Sequence, residues 1–87
     1  MINNKTNPVE WSSLMYELED AKEHLENMID QMNKDGAIEE DSEFRIRMGH
    51  VFAHLNRGWN IRNRVGEYDE SERELFSMFP KDLEPCG

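Results

Sequence analysis

The sequence has little with which a small protein could be fixed covalently. Its 87 residues include one cysteine, Cys86, which excludes a disulfide bond within the chain. A lone cysteine next to the terminus is typical of an exposed, reduced thiol, and we therefore expect a cytoplasmic protein. No apolar run exceeds three residues, and the N-terminus is polar, so we expect neither a membrane-spanning helix nor a signal peptide.

Recognisable catalytic motifs are also missing. The five glycines are scattered at positions 36, 49, 58, 66 and 87 rather than gathered in a phosphate-binding loop. Cys86 has no histidine near it in sequence, and Ser12 and Ser13 lie where the first turns of a helix are expected. The sequence therefore predicts a protein that is not an enzyme and that carries no cofactor.

Positive charge is scarce and is concentrated in one segment. The net charge is −9, yet residues 44–66 contain five arginines and no acid. The flanking segments 8–34 and 67–87 each carry seven acids against two basic residues. This order indicates a basic element that lies against acidic ones, while the surplus negative charge favours solubility.

Apolar residues recur in the first third of the chain at alternating steps of three and four. Such a heptad pattern is typical of a helix whose apolar stripe is covered by another helix. We assign self-association to six of these positions: Trp11, Leu14, Leu18, Leu25, Met28 and Met32.

Start and stop signals define three helices and an all-α fold. The first helix is predicted over residues 8–34, with Asn7 as its cap, Glu10 in a variant capping box and Gly36 as its left-handed end. The second is predicted over residues 42–65, and a short third over 70–79, followed by a flexible tail at 84–87. Two long helices joined by a short link predict an antiparallel hairpin within a single domain.

Small size argues that the hairpin pairs with a second copy. Apolar residues make up 37% of the chain and charged residues 33%, which leaves a thin core. One short helix covers little of a long hairpin, so we expect a homodimeric helical bundle. The alternative, a monomeric three-helix core, stays open, as does a further protein partner.

The second helix also has a charged face opposite its main apolar face. Arg47, His50, His54, Arg57, Ile61 and Arg64 fall in one sector of a helical wheel. We interpret this sector as a contact with an acidic element of the same or another chain. Acids on a facing helix should then favour the protonated form of the histidines in this sector.

A metal site and a nucleic-acid site are both weighed and set aside. His50 and His54 have the four-residue spacing of helical metal ligands, but the sequence shows no third ligand nearby and two arginines flank the pair. We therefore predict no metal. The arginine- and asparagine-rich segment 57–64 resembles a phosphate-contacting surface, but a pI of 4.7 opposes a polyanion, so we expect no direct nucleic-acid binding.

These observations predict a small, acidic, non-catalytic interaction or regulatory protein that self-associates through its heptad face. The alternative is an acidic protein that occupies the basic site of a nucleic-acid-binding partner. It is based on the acids at positions 17, 19, 20, 23, 26 and 30, which line the first helix.

Overall fold

The computed structural model describes residues 1–38 and 40–87 and contains three helices. Helix α1 spans Pro8–Asp35, α2 spans Asp41–Asn60 and α3 spans Glu70–Phe76. The two long helices pack against each other in opposite directions, and α3 lies against α2. The predicted all-α class and the packing of two long helices are confirmed. No strand occurs in the part of the chain that the structure describes.

Helix α1 begins at Pro8 as predicted, and the predicted hydrogen bonds occur at its C-terminal end but not at its N-terminal end. At the C-terminal end, Gly36 adopts φ 74° and its N–H donates to the carbonyl of Met32, as expected of a left-handed stop. At the N-terminal end, the side chain of Asn7 makes no capping hydrogen bond. Glu10 does not fold back on the cap either, because its carboxylate accepts a hydrogen bond from the N–H of Gly66, 3.2 Å away. The predicted capping box is therefore wrong.

Helix α2 ends at Asn60, five residues before the predicted end. The N–H of Ile61 closes the last turn by donating to the carbonyl of Arg57. The side chain of Arg62 then donates to the carbonyl of Trp59, and the carbonyl of Arg62 accepts from the N–H of Ile2. The bonds to Arg57 and Trp59 satisfy carbonyls of the last helical turn, and the bond from Ile2 holds the chain that leaves the helix before Val65.

Helix α3 is held at both of its ends. At the start, Asp69 is the cap, and its carboxylate accepts from the N–H of Glu72 at 2.9 Å. Near the end, the side-chain amides of Asn56 and Asn60 on α2 donate to the carbonyls of Ser77 and Phe76. This helix spans fewer residues than the predicted 70–79, since the turn after Phe76 is bonded to α2 instead of continuing.

The hydrophobic core is small and lies towards one end of the hairpin. Ile2, Leu14 and Ile61 form a buried cluster, against which Trp11, Tyr68 and Phe76 pack. Further along the hairpin, the helix contact is made by a few buried side chains, namely Ala21, Met28 and Val51. No large side chain among the described residues is completely buried. Within the same residues, no helix combines the length and the apolar character that crossing a membrane requires.

Two alanine substitutions should change stability in opposite directions. Gly36→Ala puts a Cβ at a left-handed position and is expected to lower the free energy of unfolding by about 1 kcal/mol. Gly49→Ala, inside α2 with no atom near the added Cβ, should raise it by about 0.5–1 kcal/mol. Urea unfolding followed by circular dichroism measures both. Equal effects of one sign would contradict this account of the turn.

Candidate functional site

The hairpin leaves one apolar side open. Four large apolar residues lie at the edge of the helix contact, two on each helix, and the helical wheels place all four on the same side of the hairpin. Their exposed fractions are 42% for Leu18, 39% for Leu25, 39% for Phe52 and 42% for Leu55. We call this surface the apolar side. Leu18 also packs over Gly58, where an added Cβ would lie 3.3 Å from its side chain.

The predicted self-association residues divide between the interior and this surface. Leu14 and Met28 are buried in the chain itself, and Trp11 is half-buried against the core cluster. Leu18, Leu25 and Met32 keep more than a third of their surface exposed. The heptad pattern therefore describes two surfaces at once, one covered by α2 and the other open.

The opposite side of the hairpin carries a buried ionic cluster, formed by Glu17, His54 and Arg57. One carboxylate oxygen of Glu17 lies 2.7 Å from Nδ1 of His54, and the other accepts from Nε of Arg57 at 2.9 Å. Arg57 also donates to the hydroxyl of Ser77 at 2.7 Å. Glu17 and His54 are each only 3% exposed. The cluster therefore joins α1, α2 and the turn after α3.

Beside it lies a second group, the histidine cluster, formed by His24, His50 and His54. One ring nitrogen from each residue lies within 4.8 Å of those of the other two. The ring centroids are 4.1 to 5.4 Å apart, and the ring planes are inclined by 15–34°. Asp20 completes the group, since its Oδ2 lies 2.7 Å from Nε2 of His54 and 3.4 Å from Nε2 of His24.

The proton on His54 can be assigned from these contacts. Nδ1 lies 2.7 Å from the Glu17 carboxylate and 3.0 Å from Nη2 of Arg57, and it cannot both donate to the first and accept from the second. The shorter, charge-assisted contact decides, so Nδ1 donates to Glu17. Nε2 is buried and makes no hydrogen bond with the described residues, because the Asp20 oxygen 2.7 Å away lies outside the angle that a hydrogen bond requires. In the neutral ring, Nε2 therefore carries a free lone pair.

His50 differs from the expectation that facing acids favour its protonated form. Burial lowers its pKa below the ordinary value, and the nearby His24 and His54 lower it further. The carboxylate of Asp20 raises this pKa by less than the other groups lower it, and the charge of Arg57 also lowers it. The expectation is wrong for His50, because its partial desolvation and the two neighbouring histidines outweigh the carboxylate of Asp20. Its neutral form is the favoured one at neutral pH.

Removing one neighbour should move this pKa in a known direction. His24→Gln is expected to raise the pKa of His50 towards its ordinary value, and Asp20→Asn to lower it further. Because the folded value is depressed, protonation favours the unfolded chain, so the contribution of His50 to stability falls as pH drops below the ordinary histidine value. NMR titration of the His50 ring protons measures both shifts. Shifts in the reverse directions would contradict this assignment.

The remaining residues of the predicted charged face go to several places. Arg47 pairs with Glu43 of its own helix at 2.9 Å, and Arg64 pairs with Glu72 of α3 at 3.0 Å. Ile61 is buried in the core cluster, whereas Ile46 is 73% exposed. Only His54 and Arg57 lie against an acid of α1. The structure thus brings together one half of this face and disperses the other.

Glu17, Asp20 and His24 are the partners that sequence reasoning missed. A signal was present, since Asp20–His24 and His50–His54 are both pairs four residues apart. In an antiparallel hairpin that turns near Gly36, residues equally distant from the turn face each other, which sets His24 opposite His50 and Asp20 opposite His54. Reading each helix alone concealed this pairing.

Comparison with known proteins adds no relative. The sequence matches no protein-family profile, and no curated protein or solved structure shows significant similarity to it. The functional argument therefore depends on the apolar side and on the ionic and histidine clusters opposite it.

Proposed function

We propose that this chain is a small, acidic, non-catalytic interaction or regulatory protein that pairs with a second copy of itself through the apolar side. The observation that carries the proposal is the row of Leu18, Leu25 and Leu55, each about 40% exposed at the open edge of a two-helix contact, next to Phe52, whose ring packs on Phe79 with centroids 5.3 Å apart. Together with the heptad spacing of the leucines, this row has the form of a helix-packing surface without its partner.

The exposed area supports the proposal quantitatively. A folded monomer of 10.3 kDa exposes about 5,400 Å², whereas this chain exposes 6801 Å². The excess of about 1,400 Å² exceeds the roughly 800 Å² that each partner buries in an interface of standard size. The radius of gyration of 15.0 Å is also larger than the value of about 12 Å for a compact domain of this length. Pairing over an interface of standard size would remove more than half of the excess area.

Self-pairing is favoured over an unrelated partner by the symmetry of the charges. Helix α1 is acidic and residues 44–66 are basic, and although Arg57, Arg62 and Arg64 pair within the chain, a two-fold arrangement can set α1 of each copy against this segment of the other. Exposed ion pairs at the rim would contribute little to affinity, about 0–1 kcal/mol each, but would fix the orientation of the copies. The apolar residues would supply most of the free energy.

The test is the mass of the untagged chain in solution. Light scattering at micromolar concentration is expected to give about twice the chain mass of 10.3 kDa, falling towards the single-chain mass on dilution. A strictly monomeric particle with a cooperative unfolding transition would contradict the proposal.

An acidic decoy for a nucleic-acid-binding protein is the second candidate. One observation favours it, namely a stripe of four exposed acids on the solvent side of α1, at Glu19, Glu23, Glu26 and Asp30. Glu17 and Asp20 are turned inward and do not contribute. A decoy should be monomeric and should bind a basic protein in a salt-dependent manner, so the same mass measurement separates it from the dimer.

A further inference from the structure

The histidine cluster has a composition that the dimer proposal does not explain. Three imidazoles converge from two helices, with His54 buried, His24 half-buried and His50 exposed, and the carboxylate of Asp20 lies beside His54 and His24. Stacked imidazoles alone give little stabilisation to offset the burial of a polar ring. From the ligand set, its supporting contacts and its accessibility, we propose that Asp20, His24, His50 and His54 bind one divalent transition-metal ion of the zinc type.

The chemistry of the donors selects the class of ion. Imidazole nitrogens suit Zn²⁺, Cu²⁺, Ni²⁺ and Fe²⁺, and a nitrogen-rich set with one carboxylate disfavours Ca²⁺ and Mg²⁺, which prefer all-oxygen sites. Three imidazoles and one carboxylate also make up the four ligands of a tetrahedral zinc ion. Asp20 and His24 lie four residues apart on one side of α1, and the same spacing sets His50 and His54 on one side of α2. The two pairs face each other across the hairpin.

The surroundings of His54 are those of a metal-bound histidine. Such a histidine usually donates its second ring N–H to a carboxylate, which fixes its tautomer and its orientation. Nδ1 of His54 donates to Glu17 at 2.7 Å, and Arg57 holds Glu17 in turn at 2.9 Å. The buried Nε2 lies 2.7 Å from Oδ2 of Asp20 but makes no hydrogen bond with the described residues. This orphaned atom is the most specific sign of a ligand.

Each of the two arginines that oppose a cation in the sequence is paired with a carboxylate in the fold, although the charge of Arg57 still acts on His50. Arg47 is paired with Glu43 at 2.9 Å, and Arg57 is paired with Glu17 at the same distance. Each positive charge therefore has its own carboxylate, and Asp20 adds a negative charge beside the imidazoles. The local balance of charge accommodates a divalent ion.

Binding requires only a small adjustment of the rings. Four ligands at about 2.1 Å from a tetrahedral ion lie about 3.4 Å from one another. The ring nitrogens lie within 4.8 Å of one another, so the imidazoles must close by an ångström or so. His50 is exposed and His24 half-buried, so their rotamers can change while the buried His54 stays fixed. The exposed edge also gives the ion a route in.

The experiment uses the full chain without a polyhistidine tag, because a tag would itself bind the probe. Zn²⁺ is titrated at neutral pH by calorimetry, and Co²⁺ provides a visible absorption spectrum that reports its coordination. We expect one Zn²⁺ per chain and a four-coordinate Co²⁺ spectrum. His24→Gln and His50→Gln should each weaken zinc binding at least about 100-fold, more than the 10–100-fold that loss of a supporting residue usually costs. Both variants replace accessible side chains, and circular dichroism verifies that they stay helical.

The matched control is Glu26→Gln, an exposed acid on α1 whose only ion pair in the described chain is with Lys22. Its zinc affinity should equal that of the original chain, which excludes adventitious binding to surface carboxylates. The proposal is overturned if the original chain does not bind zinc. It is equally overturned if the affinity is unchanged in both histidine variants. Neither result tests the proposed dimer, because the apolar side contains none of these ligands.

Discussion

Replacing Glu17 with glutamine is expected to lower the free energy of unfolding by about 3–5 kcal/mol, the usual cost of removing one partner from a buried ion pair. Its two oxygens hold the buried side chains of His54 and Arg57 at 2.7 and 2.9 Å. A neutral amide leaves the guanidinium of Arg57 buried without a counter-charge. The loss is comparable with a large part of the total stability of a small domain.

The matched control for this change is Glu26→Gln on the same helix. Glu26 forms an exposed pair with Lys22 at 3.6 Å, one helical turn away. Its loss should cost no more than about 0.5 kcal/mol. Urea unfolding of both variants measures the contrast. A loss below about 1 kcal/mol for Glu17→Gln would show that the cluster is solvated and that the hairpin is held together elsewhere.

Leu18→Asp and Leu25→Asp are expected to separate the proposed dimer while the chain stays folded. In a single chain both side chains reach the solvent, so a carboxylate at either position can remain hydrated. In the dimer it would be buried against apolar groups at a cost of several kcal/mol. Since each 1.4 kcal/mol is a factor of ten, the dissociation constant should rise by about 100-fold or more.

Two further substitutions serve as controls for this experiment. Ile46→Asp changes an equally apolar residue that is exposed on the other side of α2, and it should leave the mass unchanged. Leu14→Asp changes a buried residue of the core cluster and should unfold the chain. If Leu25→Asp behaved like Leu14→Asp, the apolar side would be interior in the single chain, contrary to the fold described above.

Much of the helical architecture could be predicted from local signals. The end of α1 at Gly36 follows from the left-handed conformation that glycine tolerates, and the packing of two long helices follows from the apolar periodicity and the short link. The hydrogen bonds at the start of α1 and the end of α2 could not be predicted in this way, although the start of α1 at Pro8 was. There, Glu10 bonds to Gly66 and Arg62 to Ile2, and such contacts depend on where distant segments come to lie.

The site was less predictable than the fold, for a related reason. The sequence shows the basic sector of α2, but the residues that this sector contacts can be identified only from the register between α1 and α2. Glu17 is three residues before Asp20 and looks like another solvated acid, although it is buried between His54 and Arg57. Likewise, His24 is the only histidine of its helix, and its ring packs against that of His50 only when the hairpin forms. Helix periodicity indicates which side a residue occupies, whereas the register decides what it meets.

The most direct test of the central claim, that the apolar side joins two copies, is isotope-filtered NMR on a mixture of labelled and unlabelled chain. We predict contacts between copies from the methyl groups of Leu18, Leu25 and Leu55, and none from Ile46 on the opposite side of α2. Contacts between copies that avoid these leucines, or no such contacts at millimolar concentration, would contradict the account.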